Sequence, residues 1–176
     1  MALIVEVGTG VPGADSYGTR SAFIAHAANY YGASIPDTDA SDVHMRAAYA
    51  YMSGLPWKGK RTLGRGQTGA WPRTDVTDCD SIAIGVNEIP VEVIQAQYDL
   101  AYYESLNPGA LSPSGSIRDA VVRMERVDVI SVEYDTSRFV PGQDVTAVRV
   151  EAAMRLISCF LRGGGRQVRM TDAVSV

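Results

Sequence analysis

Apolar positions along the chain recur at helical spacing in four segments and alternate in one. The first segment is "RSAFIAHAANYY", where Phe23, Ala27 and Tyr30 or Tyr31 share a face. Thr19 stands where an N-cap belongs and Gly32 where the helix must stop. The second is "SDVHMRAAYAYMSG", opened by Asp39 or Ser41 and stopped by Gly54, with Val43, Ala47, Ala50 and Tyr51 predicted to face inward. The third is "PVEVIQAQYDLAYYESL". Pro90 suits its first turn, Glu92 meets the helix dipole there, and Val91, Ile94, Tyr98 and Ala101 or Tyr102 form the stripe. The fourth is "VTAVRVEAAMRLISCFLR", capped by Asp144, with Val150, Met154, Ile157 and Leu161 on one face and Gly163, Gly164 and Gly165 behind it. Alternation marks residues 117–135. Val127 and Val129, then Ile130, Val132 and Tyr134, read as strands with a register change near Val129–Ile130.

The pattern therefore predicts a mainly α protein. It is a small bundle of four helices over residues 1–162, with a short β element at 117–135 and an extended arm at 163–176. "MALIVEV" either pairs as a strand or lies extended over a neighbour, and "GTGVPGADS" breaks regular structure. Residues 57–89 carry little periodicity, and a loop of that length inside a compact domain belongs to a function or an interface. The arm holds too few apolar residues for a core and orders only by docking.

Composition narrows the function. The chain of 176 residues is 46% hydrophobic and 20% charged, with a net charge of -4 and a pI near 5.1. Non-specific nucleic-acid binders usually present a basic face or a high pI, which these totals do not give. Cys79 and Cys159 lie far apart in sequence without a CxxC, so they read as reduced thiols of a reducing compartment. No apolar run is long enough to span a membrane, and the N-terminus lacks the features of a signal peptide. The expectation is a protein made in a cytoplasm.

Little catalytic chemistry is legible. His26 and His44, the two histidines, have no neighbours at metal-ligand spacing and read as helix-surface or half-buried residues. "DVTDCDSIAIG" has the first aspartates of a calcium loop but not its glycine or closing glutamate, so its aspartates read as bonded to their own backbone. "GRGQTG" lacks the lysine and hydroxyl of a phosphate loop. No nucleophile–base pair and no cofactor signature stand out, and the chain reads as non-enzymatic.

One stretch stands apart. "WKGKRTLGRGQTGAWPRT" carries both tryptophans, Trp57 and Trp71, and the basic residues Lys58, Lys60, Arg61, Arg65 and Arg73, with no acid. It admits two readings. Bases of a single strand could stack on Trp57 and Trp71 while Arg61 and its neighbours meet phosphates. Alternatively, the tryptophans anchor the loop in a core, Trp71 stacks on Pro72, and the arginines pair with Asp75, Asp78 and Asp80 or with a neighbouring subunit. The acidic balance of the chain favours the second.

"GTGVPGADSY", "WKGKRT", "AWPRTDVTDCD", "NEIPVEVIQAQYDLA", "ISVEYD" and "LRGGGRQVRM", in that order, resemble a family of tailed-phage proteins. The family is often labelled DnaT-like single-stranded-DNA-binding and is also understood as head–tail adaptors, or connectors. The resemblance covers most of the chain. It departs at "DCDSIAIG", where the family tends to an Asp-Gly turn, and at Gly18, where a bulkier residue is usual. It implies a helical adaptor that forms a homo-oligomeric ring, typically a dodecamer, between the portal protein and a tail terminator or stopper, in the neck of the virion. Double-stranded DNA would pass transiently through its channel. On this reading Arg162, Arg166, Val168, Arg169 and Met170 contact the portal. Trp57, Lys58, Lys60, Arg61, Arg65, Trp71 and Arg73 belong to an inter-subunit or tail interface, with Trp57 and Trp71 pinning the loop. The family label keeps a single-stranded-DNA reading as the alternative, with Trp57, Arg61 and Trp71 as its contacts.

Overall fold

The computed structural model describes residues 2–111, 124–127, 130–133 and 145–162, with the side chains of 124–127, 130–133 and 145–149 left aside. Among these residues lie four helices: α1 (Arg20–Tyr31), α2 (Asp39–Ser53), α3 (Val91–Leu106) and α4 (Val145–Leu156). Two antiparallel pairs accompany them. β1 (Lys60–Arg61) pairs with β2 (Arg73–Thr74), and β3 (Met124–Val127) pairs with β4 (Ile130–Glu133). The protein is mainly helical, as the periodicity predicts. The expected register change near Val129–Ile130 is a reversal instead, because Val127 lies opposite Ile130. The expected arm at 163–176, with Arg166, Val168, Arg169 and Met170, lies outside the described residues, as do Tyr134 and the Asp144 cap.

α3 is the central helix and packs against α1, α2 and α4. Its burial follows from its composition. Val93, Ala96, Leu100 and Ala101 are sealed, and the polar Gln97 is sealed with them. Burying an amide is tolerable only if its groups are bonded. Gln97 Nε2 donates to Met45 O and to Ser16 Oγ, and its Oε1 accepts from Tyr17 N at 2.8 Å. One side chain thus ties α3 to α2 and to the N-terminal segment.

The expected stripe on α3 is partly displaced, since Val91 is 57% exposed while Tyr98 and Ala101 are buried. The face of α2 is displaced more. Met45, Ala48, Tyr49 and Met52 are buried, whereas Val43 is 59% exposed, Ala50 is exposed and Ala47 and Tyr51 are half-buried. The reason is polar burial at the helix start. Ser41 donates to Pro36 O, and Asp42 lies 3.5 Å from Arg20 Nε. That turns the inward face away from the purely apolar register. On α1, Phe23 and Ala27 are buried, but Tyr30 and Tyr31 are exposed.

The caps of α1 match expectation. Thr19 Oγ1 accepts from Ala22 N, and Gly32 closes the helix in the left-handed region at φ 61°. For α2 the cap position is Thr38, which makes no side-chain cap bond. α4 ends at Leu156, short of the predicted Arg162, and Ser158–Phe160 continue as a 3-10 turn.

The N-terminal segment is extended without forming a strand, touching Ser16 through a bridge at Val5. Its following glycine-rich turn is organised by a buried carboxylate. Glu6 accepts from the N–H groups of Gly8, Gly10 and Val11 at 2.7–2.9 Å. Three charge-assisted bonds offset the cost of burying Glu6.

Candidate interface loop

Residues 57–89 form an ordered loop built on its two tryptophans. Trp57 and Trp71 are 3% and 0% exposed, and their rings meet edge-on at 5.7 Å. Phe160 packs edge-on against Trp71 at 5.6 Å. Trp57 Nε1 donates to Met52 O at the end of α2. Edge contacts between aromatic rings contribute about 0.5–1.5 kcal/mol beyond area burial. No face of either ring is free for a nucleotide base.

The backbone of the loop is pinned at its entrance and near its middle. Lys58 N donates to Phe160 O, Arg162 N donates to Pro56 O, and Trp57 bridges Leu161. The loop entrance is therefore stitched to the segment that follows α4. Tyr17 holds its middle, its hydroxyl accepting from Ala70 N and Trp71 N, next to a cis Trp71–Pro72 bond. Burial pushes the Tyr17 phenol up to about 12, against the pull of those two donors. Gln67 fills the interior of the loop. Its amide donates to Gly69 O and Pro72 O and accepts from Leu63 N.

Cys79 and Cys159 form a disulfide, with Cα atoms 5.2 Å apart. This corrects the expectation of two reduced thiols. Their separation of 80 residues says nothing about distance once the loop folds over the end of α4. Of the aspartates in "DVTDCD", Asp78 bonds to the local backbone as expected. Asp78 Oδ1 accepts from Asp80 N and Ile82 N in a small reversal where Thr77 bridges Ala83.

The basic residues divide into two sets. Arg73 is only 8% exposed and spends its guanidinium on backbone oxygens, donating to Lys58 O, Gly59 O and Ala70 O. Lys58 Nζ donates to Cys159 O. These two fasten the loop to itself and to the end of α4. Lys60, Arg61 and Arg65 are exposed, and Arg61 makes one long contact to Gln67 O at 3.5 Å. No described ion pair joins the loop arginines to Asp75, Asp78 or Asp80. The expected pairing within the loop is therefore not what holds it. Arg162 sits exposed beside the loop entrance.

Sequence reasoning missed three residues that position this site. Tyr17 and Gln67 supply its internal bonds, and Gln97 fixes Tyr17. Only the position of Gln97 on the apolar face of α3 hinted at its role. A second polar cluster joins α1 to α3. Asp99 Oδ1 accepts from Tyr31 and lies 2.7 Å from His26 Nε2, while His26 stacks on Tyr30.

A protein-family model described as "Putative DnaT-like ssDNA binding protein" matches residues 1–174. No curated protein and no solved structure matches the chain.

Proposed function

The chain belongs to the DnaT-like family named by that description, and from this premise we propose that it is a structural subunit of a tailed-phage neck. In this reading copies of the chain assemble into a ring that joins the portal of a filled head to the tail and continues the DNA channel. The portal, neighbouring subunits and a tail terminator or stopper are its partners, and the neck of the virion is its place. The observation that carries the reading is the burial of Trp57 and Trp71 in a loop whose backbone is bonded at its entrance to the segment after α4 and near its middle to Tyr17. Such a loop is a built surface suited to a protein contact. The chain's net charge of -4 suits a conduit that DNA must slide through, since each neutralised phosphate adds affinity that would slow passage. Electron microscopy of the purified protein mixed with portal rings tests this directly.

The family's description favours a second reading, in which the chain binds single-stranded DNA. With both tryptophans covered, such binding would draw on exposed Lys60, Arg61 and Arg65 and would be electrostatic. Three phosphate contacts give a slope of log K against log salt of about -2. An oligonucleotide titration that stays flat at low salt removes this reading. Steep salt dependence together with loss of binding in Arg61→Ala establishes it.

A further inference from the structure

Arg61, Arg73 and Arg162 come from β1, β2 and the segment after α4, and they line one cavity of about 260 Å³ with Ser53, Leu55 and Pro56. Among the described residues no carboxylate lines it. Gathering three guanidinium groups around a recess without a counter-charge is unfavourable, and the chain shows the effect. Burial first, then the like charges of Arg61 and Arg162, hold the Arg73 guanidinium below its ordinary range. Arg73 contributes mainly charge, because three of its five N–H donors go to Lys58 O, Gly59 O and Ala70 O. Arg61 and Arg162 form no ion pair among the described residues. Guanidinium forks matched to no acid fit an oxyanion arriving from outside.

Two features decide which oxyanion. A nucleic-acid strand would need a groove that follows several phosphates and rings on which bases stack. The recess is a single cavity walled partly by Trp57, whose ring is buried. Meanwhile the same loop carries exposed acids, Asp75, Asp80 and Glu88, that meet none of the three arginines. One chain therefore offers both a basic recess and acidic side chains. Complementary patches of this kind on identical copies make head-to-tail contacts, which close into rings when the rotation allows.

We propose that the recess formed by Arg61, Arg73 and Arg162 is the receptor for a protein carboxylate, carried on an acidic peptide segment. The proposal rests on reading the loop as an assembly surface, and its first source is the 75–88 segment of a second copy. Arg61 and Arg162 supply the hydrogen bonds, and Arg73 supplies fixed charge from beneath.

The test is a titration of the full-length protein, followed through the guanidinium resonances of Arg61 and Arg162 and by calorimetry. The probes are a peptide of residues 74–88 with serine in place of Cys79, a scrambled peptide of the same composition, inorganic phosphate and an oligothymidylate. The acidic peptides bind, and Arg61→Gln and Arg162→Gln each weaken binding about tenfold, with melting temperature unchanged. Tighter binding of the native segment identifies a second copy as the source, and equal binding of the scrambled peptide points to another acidic protein. Binding of oligothymidylate or phosphate with the same arginine dependence, but not of peptides, overturns the proposal, and so does silence with all four probes. The readout does not depend on ring formation. A failed ring experiment with a positive titration leaves the recess standing, and the converse leaves the ring.

Discussion

Individual residues carry the loop, and their substitutions separate geometry from contact. Gly59 sits at φ 64°, and a Cβ there would meet Thr74 O at 2.0 Å and Val76 Cγ2 at 2.6 Å. Gly64 has a similar φ of 56° with nothing within 4 Å. Gly64→Ala should cost about 1–2 kcal/mol from the left-handed backbone alone. Gly59→Ala should cost clearly more, because backbone must move as well. Urea denaturation of the two variants compares them, and equal costs would deny the close approach. Gln97→Leu leaves Tyr17 N and Met45 O without their partner and should cost about 2–3 kcal/mol. Tyr17 makes a pH prediction. Its folded pKa near 12 lies above the ordinary 10.0, so its contribution is fully present below pH 10 and is lost as pH rises toward 12. Stability measured by denaturation from pH 9 to 12 should fall, and Tyr17→Phe should flatten part of that fall.

At the scale of elements, what the sequence made legible is what local physics decides. Thr19 and Gly32 delimit α1 because capping needs only neighbouring residues. The existence of all four helices follows from periodicity. The inward face of α2 was not legible, because Ala47, Ala48 and Ala50 fit either side, and the choice was made by buried Ser41 and Asp42 and by Gln97 reaching Met45 O. Val43→Ser should therefore change stability by no more than about 0.5 kcal/mol. Met52→Ala should cost about 2–5 kcal/mol, the range for a sealed side chain. Thermal melts of both variants decide whether the face is assigned correctly. Within the loop, the burial of Trp57 and Trp71 agrees with their reading as anchors. The partners of its arginines did not follow from composition, because guanidinium groups near aspartates in sequence can still turn to backbone oxygens, as Arg73 does. Gly18 lies where a Cβ would come within 2.0 Å of the Tyr98 hydroxyl. A bulkier residue there would need another position for that ring.

At the scale of the whole molecule, two distant parts of the chain are made one surface. The disulfide from Cys79 to Cys159 joins the loop to the end of α4 across 80 residues. A crosslink closing a loop of this length stabilises by about 2–4 kcal/mol, so Cys79→Ser should lower the melting temperature, and a reducing agent should do the same to the native chain but not to the variant. The proposed assembly surface combines the pinned loop, its entrance stitched to Phe160 and Arg162, and the acidic balance of the chain. The central claim is that this surface builds a ring on a portal. The most direct measurement is electron microscopy of the purified protein incubated with portal rings, with single-stranded DNA in a parallel sample. The account predicts an added ring of density coaxial with the portal and no change on the DNA. Bare portals beside a protein that coats the single strands would contradict it.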